Sequence, residues 1–180
     1  MEKSISSRRR FLSAAGVVAT SIILPNQVMG VLRKIKKPIK LGMIADLHQD
    51  VMHDGPARLK AFLDAMKKES PDALVQLGDF AYPTKKNDAV IRAFEKAHSR
   101  TLNVLGNHEI DGGHTFDAVA KLWGMKGRYY TENINGLDLI VLDCNEKPKN
   151  HKGGYPAHIG EQQLEWLEKQ LKTLKGPILV

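Results

Sequence analysis

Thr101-Leu102-Asn103-Val104-Leu105-Gly106-Asn107-His108-Glu109 is the stretch that decides the reading of this chain. An apolar run from Thr101 to Leu105 ends in a glycine, and chemistry-bearing residues follow at once. Gly106 permits a tight backbone turn, Asn107 offers a neutral oxygen donor, and His108 offers a proton donor. Two earlier runs end in the same manner. Leu41 to Ala45 leads into Asp46-Leu47-His48, and Ala73 to Leu77 leads into Gly78-Asp79. Three apolar runs that end in Asp and His, then Asp, then Asn and His describe a metal site of mixed oxygen and nitrogen donors.

Between these runs the spacing predicts helices. Leu59, Phe62, Leu63 and Met66 recur at helical intervals, and Ser70-Pro71-Asp72 breaks the pattern. Val90, Phe94 and Ala97 mark a second helix, with Asn87-Asp88 as capping candidates. The first strand, Ile39 to Ala45, is apolar nearly throughout, as a strand covered on both faces should be. The resulting β-α-β-α-β order predicts parallel strands with right-handed crossovers. All three motifs then fall at the carboxyl edge of one sheet, where ligands gather in open α/β sheets.

Further along, Asp111-Gly112-Gly113 reads as a flexible loop, and Phe116, Val119, Ala120 and Trp123 outline a short helix. Arg128 to Thr131 and Leu137 to Leu142 are expected strands, joined by a hairpin turn at Asn135-Gly136. A polar loop from Asn145 to Gly154 follows. Leu164, Leu167, Leu171 and Leu174 predict a helix with one leucine-rich face, and Ile178 to Val180 begins another apolar run.

The chain has 180 residues, 42% hydrophobic and 26% charged, an ordinary globular composition that argues against disorder. Its net charge of +7 includes +3 from the first 30 residues, so nucleic acid is not an expected partner. Arg33, Lys34, Lys36, Lys37 and Lys40 read as a solvated basic lead-in. The single cysteine, Cys144, rules out an intrachain disulfide and is expected to be a buried, inert thiol.

Residues 1–30 read as a targeting segment. Ser7-Arg8-Arg9-Arg10-Phe11-Leu12 resembles a twin-arginine export signal, with an apolar stretch to Leu24 that is too short for a stable membrane anchor. Val28 and Gly30 suit the −3 and −1 positions of a cleavage site. That resemblance implies the export machinery as a partner and a periplasmic or extracellular location. It divides the chain into a signal at 1–30, a lead-in at 31–38 and a domain at 39–180.

The three motifs together resemble those of the calcineurin-like metallophosphoesterases: Asp-x-His, Gly-Asp, then Gly-Asn-His-Asp/Glu. The resemblance implies an α/β fold, a four-layer α-β-β-α sandwich. It also implies a metal-dependent hydrolase of phosphoric esters, a phosphatase or phosphodiesterase. Asp46 and His48 would bind one metal, Asp79 would bridge two, and Asn107 would bind the second. The metals would be two divalent or trivalent ions, with manganese, iron and zinc equally suited to these donors. Such a pair, about 3.5 to 4 Å apart, activates a bridging hydroxide. His108 would be the catalytic residue that donates to or stabilises the leaving oxygen, and Glu109 would orient His108 or position its loop.

The family's later motifs, a lone His and a Gly-His-x-His, have no match, so the expected domain is truncated before its second sheet is complete. The alternative is an exported non-catalytic binding module, or an inactive fragment, that keeps the fold. Gly78-Asp79-Phe80-Ala81-Tyr82 also resembles the Gly-Asp-x-x-Tyr of purple acid phosphatases, in which the tyrosine binds iron(III). The presence of His48 favours a packing role for Tyr82. His114 and His151 lie on loops that could reach a substrate.

Overall fold

A computed structural model describes residues 35–180; the signal expected at 1–30 and the start of the lead-in lie outside the described residues. Strands β1 (Leu41–Ile44), β2 (Ala73–Gln76) and β3 (Thr101–Asn103) form one all-parallel sheet in that order. Helix α1 (Gly55–Glu69) links the first pair and α2 (Asp88–Glu95) the second. The predicted β-α-β-α-β unit is therefore present, with each strand slightly shorter than its apolar run. Helix α3 (Phe116–Trp123) follows, and then β4 (Tyr130–Ile134), β5 (Leu137–Val141), α4 (Glu161–Thr173) and β6 (Ile178–Leu179). β5 pairs antiparallel with β4 and parallel with β6 in a second sheet.

The two faces of the parallel sheet bury different partners. On one face Leu74 packs with Leu59 of α1, Ile91 and Phe94 of α2, Val119 and Trp123 of α3, and Phe80. On the other face Ala73, Val75 and Leu102 meet Ile134, Leu139 and Val141 of the second sheet. Helix α4 is joined to the second sheet through Gln163, whose side chain accepts from the Asp143 amide and donates to the Asp143 carbonyl, both at 2.8 Å. Helices, sheet, sheet and helix are the layers expected of a metallophosphoesterase-like α/β fold.

Among the described strands, β2 alone is buried at every position. β1 is an edge strand: Leu41 and Ile44 pack against the two cores, but Met43 is 44% exposed, so this strand is not covered throughout as its composition suggests. The buried residues of α2 are Ile91 and Phe94, with Val90 half-buried against the same core; Ala97 departs from expectation, because the helix ends at Glu95 and Ala97 is exposed. The leucine stripe of α4 is not its buried face either. Leu164 and Leu171 are exposed, and the buried residue is Gln163, because its amide satisfies backbone groups that an aliphatic side chain could not. Asp111 to Gly113, read as a loop, belongs to a 3-10 turn that begins at His108 and is interrupted at Asp111 and Gly112. Among the described residues no helix is long and apolar enough to cross a membrane.

Candidate metal centre

The loops that leave β1 and β2 continue side by side past the ends of the strands. Asp46 N–H donates to Gly78 O at 3.2 Å, His48 N–H to Asp79 O at 2.9 Å, and Gln49 N–H to Phe80 O at 3.0 Å. Along this zipper Asp46, His48 and Asp79 have a left-handed backbone, with φ of 54°, 46° and 53°. Asp and His are among the non-glycine residues that tolerate this region, though not freely. Arg58 of α1 supports the first loop, donating from Nη1 to the Asp46 carbonyl at 3.3 Å and from Nη2 to the Leu47 carbonyl. Gln76 ties the second loop to the third, accepting from Gly78 N–H at 2.7 Å and donating to the Val104 carbonyl at 3.0 Å.

Glu109 is the hub. Its carboxylate is 1% exposed and accepts the amides of Asp79, Phe80, Ala81 and Gly106, at distances from 2.5 to 3.4 Å. Of the two roles open from sequence, it therefore positions the loops. Burial pushes its carboxyl up from the ordinary value, against the amide bonds that pull it down. Glycine is required at Gly106, where a Cβ would collide with the Asp79 carboxylate and amide. At Gly78, with φ 98°, a Cβ would lie 2.7 Å from Gly106 Cα.

The result is a set of converging donors. One ligand atom each from Asp46, His48 and Asp79 lies within 4.8 Å of the others. His48 Nε2 stands 3.7 Å from Asp46 Oδ1 and 3.5 Å from Asp79 Oδ2. Two donors held about 2.1 Å from one ion at a tetrahedral angle sit about 3.4 Å apart, so this spacing fits a shared cation. Asn107 lines the same recess of about 290 Å³, together with Asp46, Asp79 and Gly106. The donor chemistry, two carboxylates and an imidazole with a carboxamide beside them, suits divalent metal.

His108 borders this group. Its ring is 4.7 Å from that of His48, and its amide donates to Asp79 Oδ1 at 3.0 Å. Tyr82 is stacked on His108, with centroids 4.3 Å apart and planes 16° from parallel, a packing contact. His114 meets the Tyr82 ring at 5.1 Å, and His151 is engaged by the Gly154 carbonyl at 3.0 Å. Cys144 departs from expectation. It is exposed and lines the recess, because β5 ends at Val141 and Cys144 already belongs to the following loop. Sequence reading also missed Arg58 and Asp50, whose contacts come from distant parts of the chain.

The family model for calcineurin-like phosphoesterases matches residues 39–180. The chain belongs to this family. Calcineurin-like phosphoesterases are metal-dependent hydrolases of phosphoester bonds, and Asp46, His48 and Asp79 form a group that could hold a metal ion. Among solved structures, the chain resembles a dimetal phosphatase from Danio rerio at 17% identity and a TM-score of 0.56, covering 78% of this chain and 68% of that one. A protein of unknown function from Aquifex aeolicus aligns at 17% identity and a TM-score of 0.39, over 75% of this chain and 74% of that one. No curated relative matches the sequence.

Proposed function

We propose that this calcineurin-like phosphoesterase hydrolyses a phosphoric ester at the Asp46-His48-Asp79-Asn107 recess, with His108 as the proton donor. The observation that carries the reading is the convergence of Asp46, His48 and Asp79 donor atoms within 4.8 Å from two successive strand ends. Asp46, His48, Asp79 and Asn107 would hold the metal. Bound divalent cations supply charge for the phosphoryl oxygens and acidify water.

The rest is done by the chain's own groups. Asp79 is fixed by the His108 amide on Oδ1, so Oδ2 is presented toward His48 in one orientation. The Glu109 hub keeps the second and third loops in register and so sets the spacing of Asp79 and Asn107. In the reaction a water oxygen bonds to phosphorus and gives up a proton to solvent as the ester P–O bond breaks. The leaving oxygen takes a proton from the His108 imidazole, which solvent then restores.

Asp79→Ala removes the central donor. It is expected to cost more than the roughly 10- to 100-fold in metal affinity that groups behind a ligand typically contribute. Calorimetric titration with Mn²⁺ and turnover of 4-nitrophenyl phosphate and bis(4-nitrophenyl) phosphate measure the two effects. Unchanged Mn²⁺ affinity in the variant would overturn the site. A wild-type chain that binds Mn²⁺ and hydrolyses neither ester would favour a binding module that keeps the fold.

A further inference from the structure

We propose that Asn145 is a specificity-determining residue: its carboxamide oxygen accepts a hydrogen bond from a hydroxyl on the alcohol part of the ester. Hydroxylated phosphoesters are then favoured over plain alkyl ones. The proposal rests on the reading of the recess as a phosphoester site. Asn145 stands on the loop that follows β5, and it lines the recess that Asp46, Asp79 and Asn107 share.

The direction of its amide is fixed by its partners. Nδ2 donates to the Leu105 carbonyl at 2.9 Å and to Asp143 Oδ1 at 3.1 Å. Both partners are acceptors, so the amide cannot be turned around, and both of its N–H bonds are used. The same Asp143 oxygen accepts the Asn145 backbone amide at 2.8 Å. Asp143 is itself fully buried, with Arg128 on Oδ2 and Gln163 on its backbone. Asn145 is only half-buried, and Oδ1 accepts from no described residue. That oxygen is the group Asn145 brings to the recess, and it is held in place before any ligand arrives.

An acceptor there selects for a donor. Phosphoryl oxygens are acceptors themselves and gain nothing from Oδ1, whereas a hydroxyl on the alcohol part gains a hydrogen bond. At about 290 Å³ the recess is near the lower end of ligand pockets, about 300–1,000 Å³, so an ester seated on Asp79 and Asn107 meets Asn145 as well.

The competing explanation is that Asn145 only ties its loop to Leu105. Two ligands that differ by one hydroxyl separate the alternatives, because a structural role weakens both alike. Propylphosphonate and its terminally hydroxylated form keep the skeletons of ethyl and hydroxyethyl phosphate and cannot be hydrolysed, so binding is read without turnover. Calorimetry on the full chain with Zn²⁺ compares the two ligands in wild type and Asn145→Ala. In the ¹⁵N-labelled wild type, the Asn145 side-chain amide signals report the same contact, and they decide the matter if the variant does not fold.

The expected result is about 3- to 10-fold tighter binding of the hydroxylated ligand by wild type and no preference in Asn145→Ala. The Asn145 amide signals should shift with the hydroxylated ligand alone. A preference that survives in Asn145→Ala, or an equal weakening of both ligands, would overturn the proposal. A loss of Zn²⁺ affinity in Asn145→Ala would make the oxygen a metal contact and overturn it too. Equal binding of both ligands by wild type leaves the phosphoester reading standing and removes Asn145 from it. Zn²⁺ binding with neither phosphonate bound counts against that reading and the proposal together.

Discussion

Left-handed backbone occurs in both sheets, at φ of 54°, 46° and 53° for Asp46, His48 and Asp79 beside the parallel sheet, and 52° and 100° for Asn135 and Gly136 in the β4–β5 hairpin. In the hairpin the conformation is local. Asn-Gly is the dipeptide that a two-residue turn with two positive φ values demands; Asn133 Oδ1, accepting from the Gly136 amide at 3.2 Å, and Asn135 Nδ2, donating to Asp72 Oδ1 at 2.6 Å, add to it. Beside the parallel sheet the same conformation is imposed from afar. Glu109 reaches back to the Asp79 loop, and Arg58 reaches back to the Asp46 carbonyl. One region has the shape its own two residues favour, with Asp72 holding the Asn135 side chain from outside, and the other has a shape its residues disfavour and borrows it from side chains elsewhere in the fold. Strain that must be held from outside is the kind found at functional sites.

The contrast is broken most severely at the hub. Glu109→Ala strands the amides of Asp79, Phe80, Ala81 and Gly106 in a buried place, and each unsatisfied group costs on the order of 1–3 kcal/mol. After partial relaxation the expected loss is about 3–5 kcal/mol in urea unfolding, with Mn²⁺ affinity lowered about 10- to 100-fold. A variant within about 1 kcal/mol of wild type would mean that the loops favour their left-handed shape by themselves, as the hairpin does.

What could be read from the sequence follows the same division. Strand ends with Asp, His and Asn are local patterns, so the parallel β-α-β-α-β unit and the gathering of Asp46, His48 and Asp79 at its carboxyl edge were legible from periodicity and punctuation. The Asn135-Gly136 turn was legible for the same reason. Asp50 was not, because nothing near it in the chain indicates that it faces His108. Asn87 looked like a helix cap, and it does stand at that position, but its amide goes to Asp50 and the Tyr82 carbonyl instead. Gln163 was hidden by its leucine neighbours, since helical spacing predicts an apolar buried face and cannot foresee a buried amide serving Asp143. Exposure of Cys144 depended on where β5 ends, and strand ends are set by pairing partners more than by composition.

Tyr130 sharpens the comparison, because it joins the two sheets through one hydroxyl. The hydroxyl donates to the Asn103 carbonyl at 2.8 Å and accepts from the Asn103 amide at 3.1 Å, closing the open edge of β3. Burial raises its pKa from 10.0 to about 12, with a smaller contribution from Glu132. The fold therefore keeps its proton at pH values where the unfolded chain has lost it. Stability from this group is fully present below pH 10 and is lost as pH rises toward about 12, at roughly 1.4 kcal/mol per unit. Tyr130→Phe is expected to cost about 1–3 kcal/mol at neutral pH and to remove that alkaline slope, as followed by unfolding at several pH values. A slope that persists in the variant would place its origin in another group.

Gly136→Ala is the smallest break and the strictest test of local independence. At φ 100° an alanine is strained by about 1–2 kcal/mol, and an unfolding midpoint measures that loss. Because the turn has the shape its Asn-Gly favours, and its contact with Asp72 stands before β2 at the opposite end of that strand from Asp79, Mn²⁺ affinity should not change. The second sheet does touch the site, through Asn145 Nδ2, which donates to the Leu105 carbonyl at 2.9 Å one residue before Gly106. If Gly136→Ala lowers Mn²⁺ affinity along with stability, strain in the hairpin is reaching the third loop by way of β5 and Asn145. The two sheets would then hold the metal donors jointly, and the site's dependence on distant residues would extend to the hairpin itself.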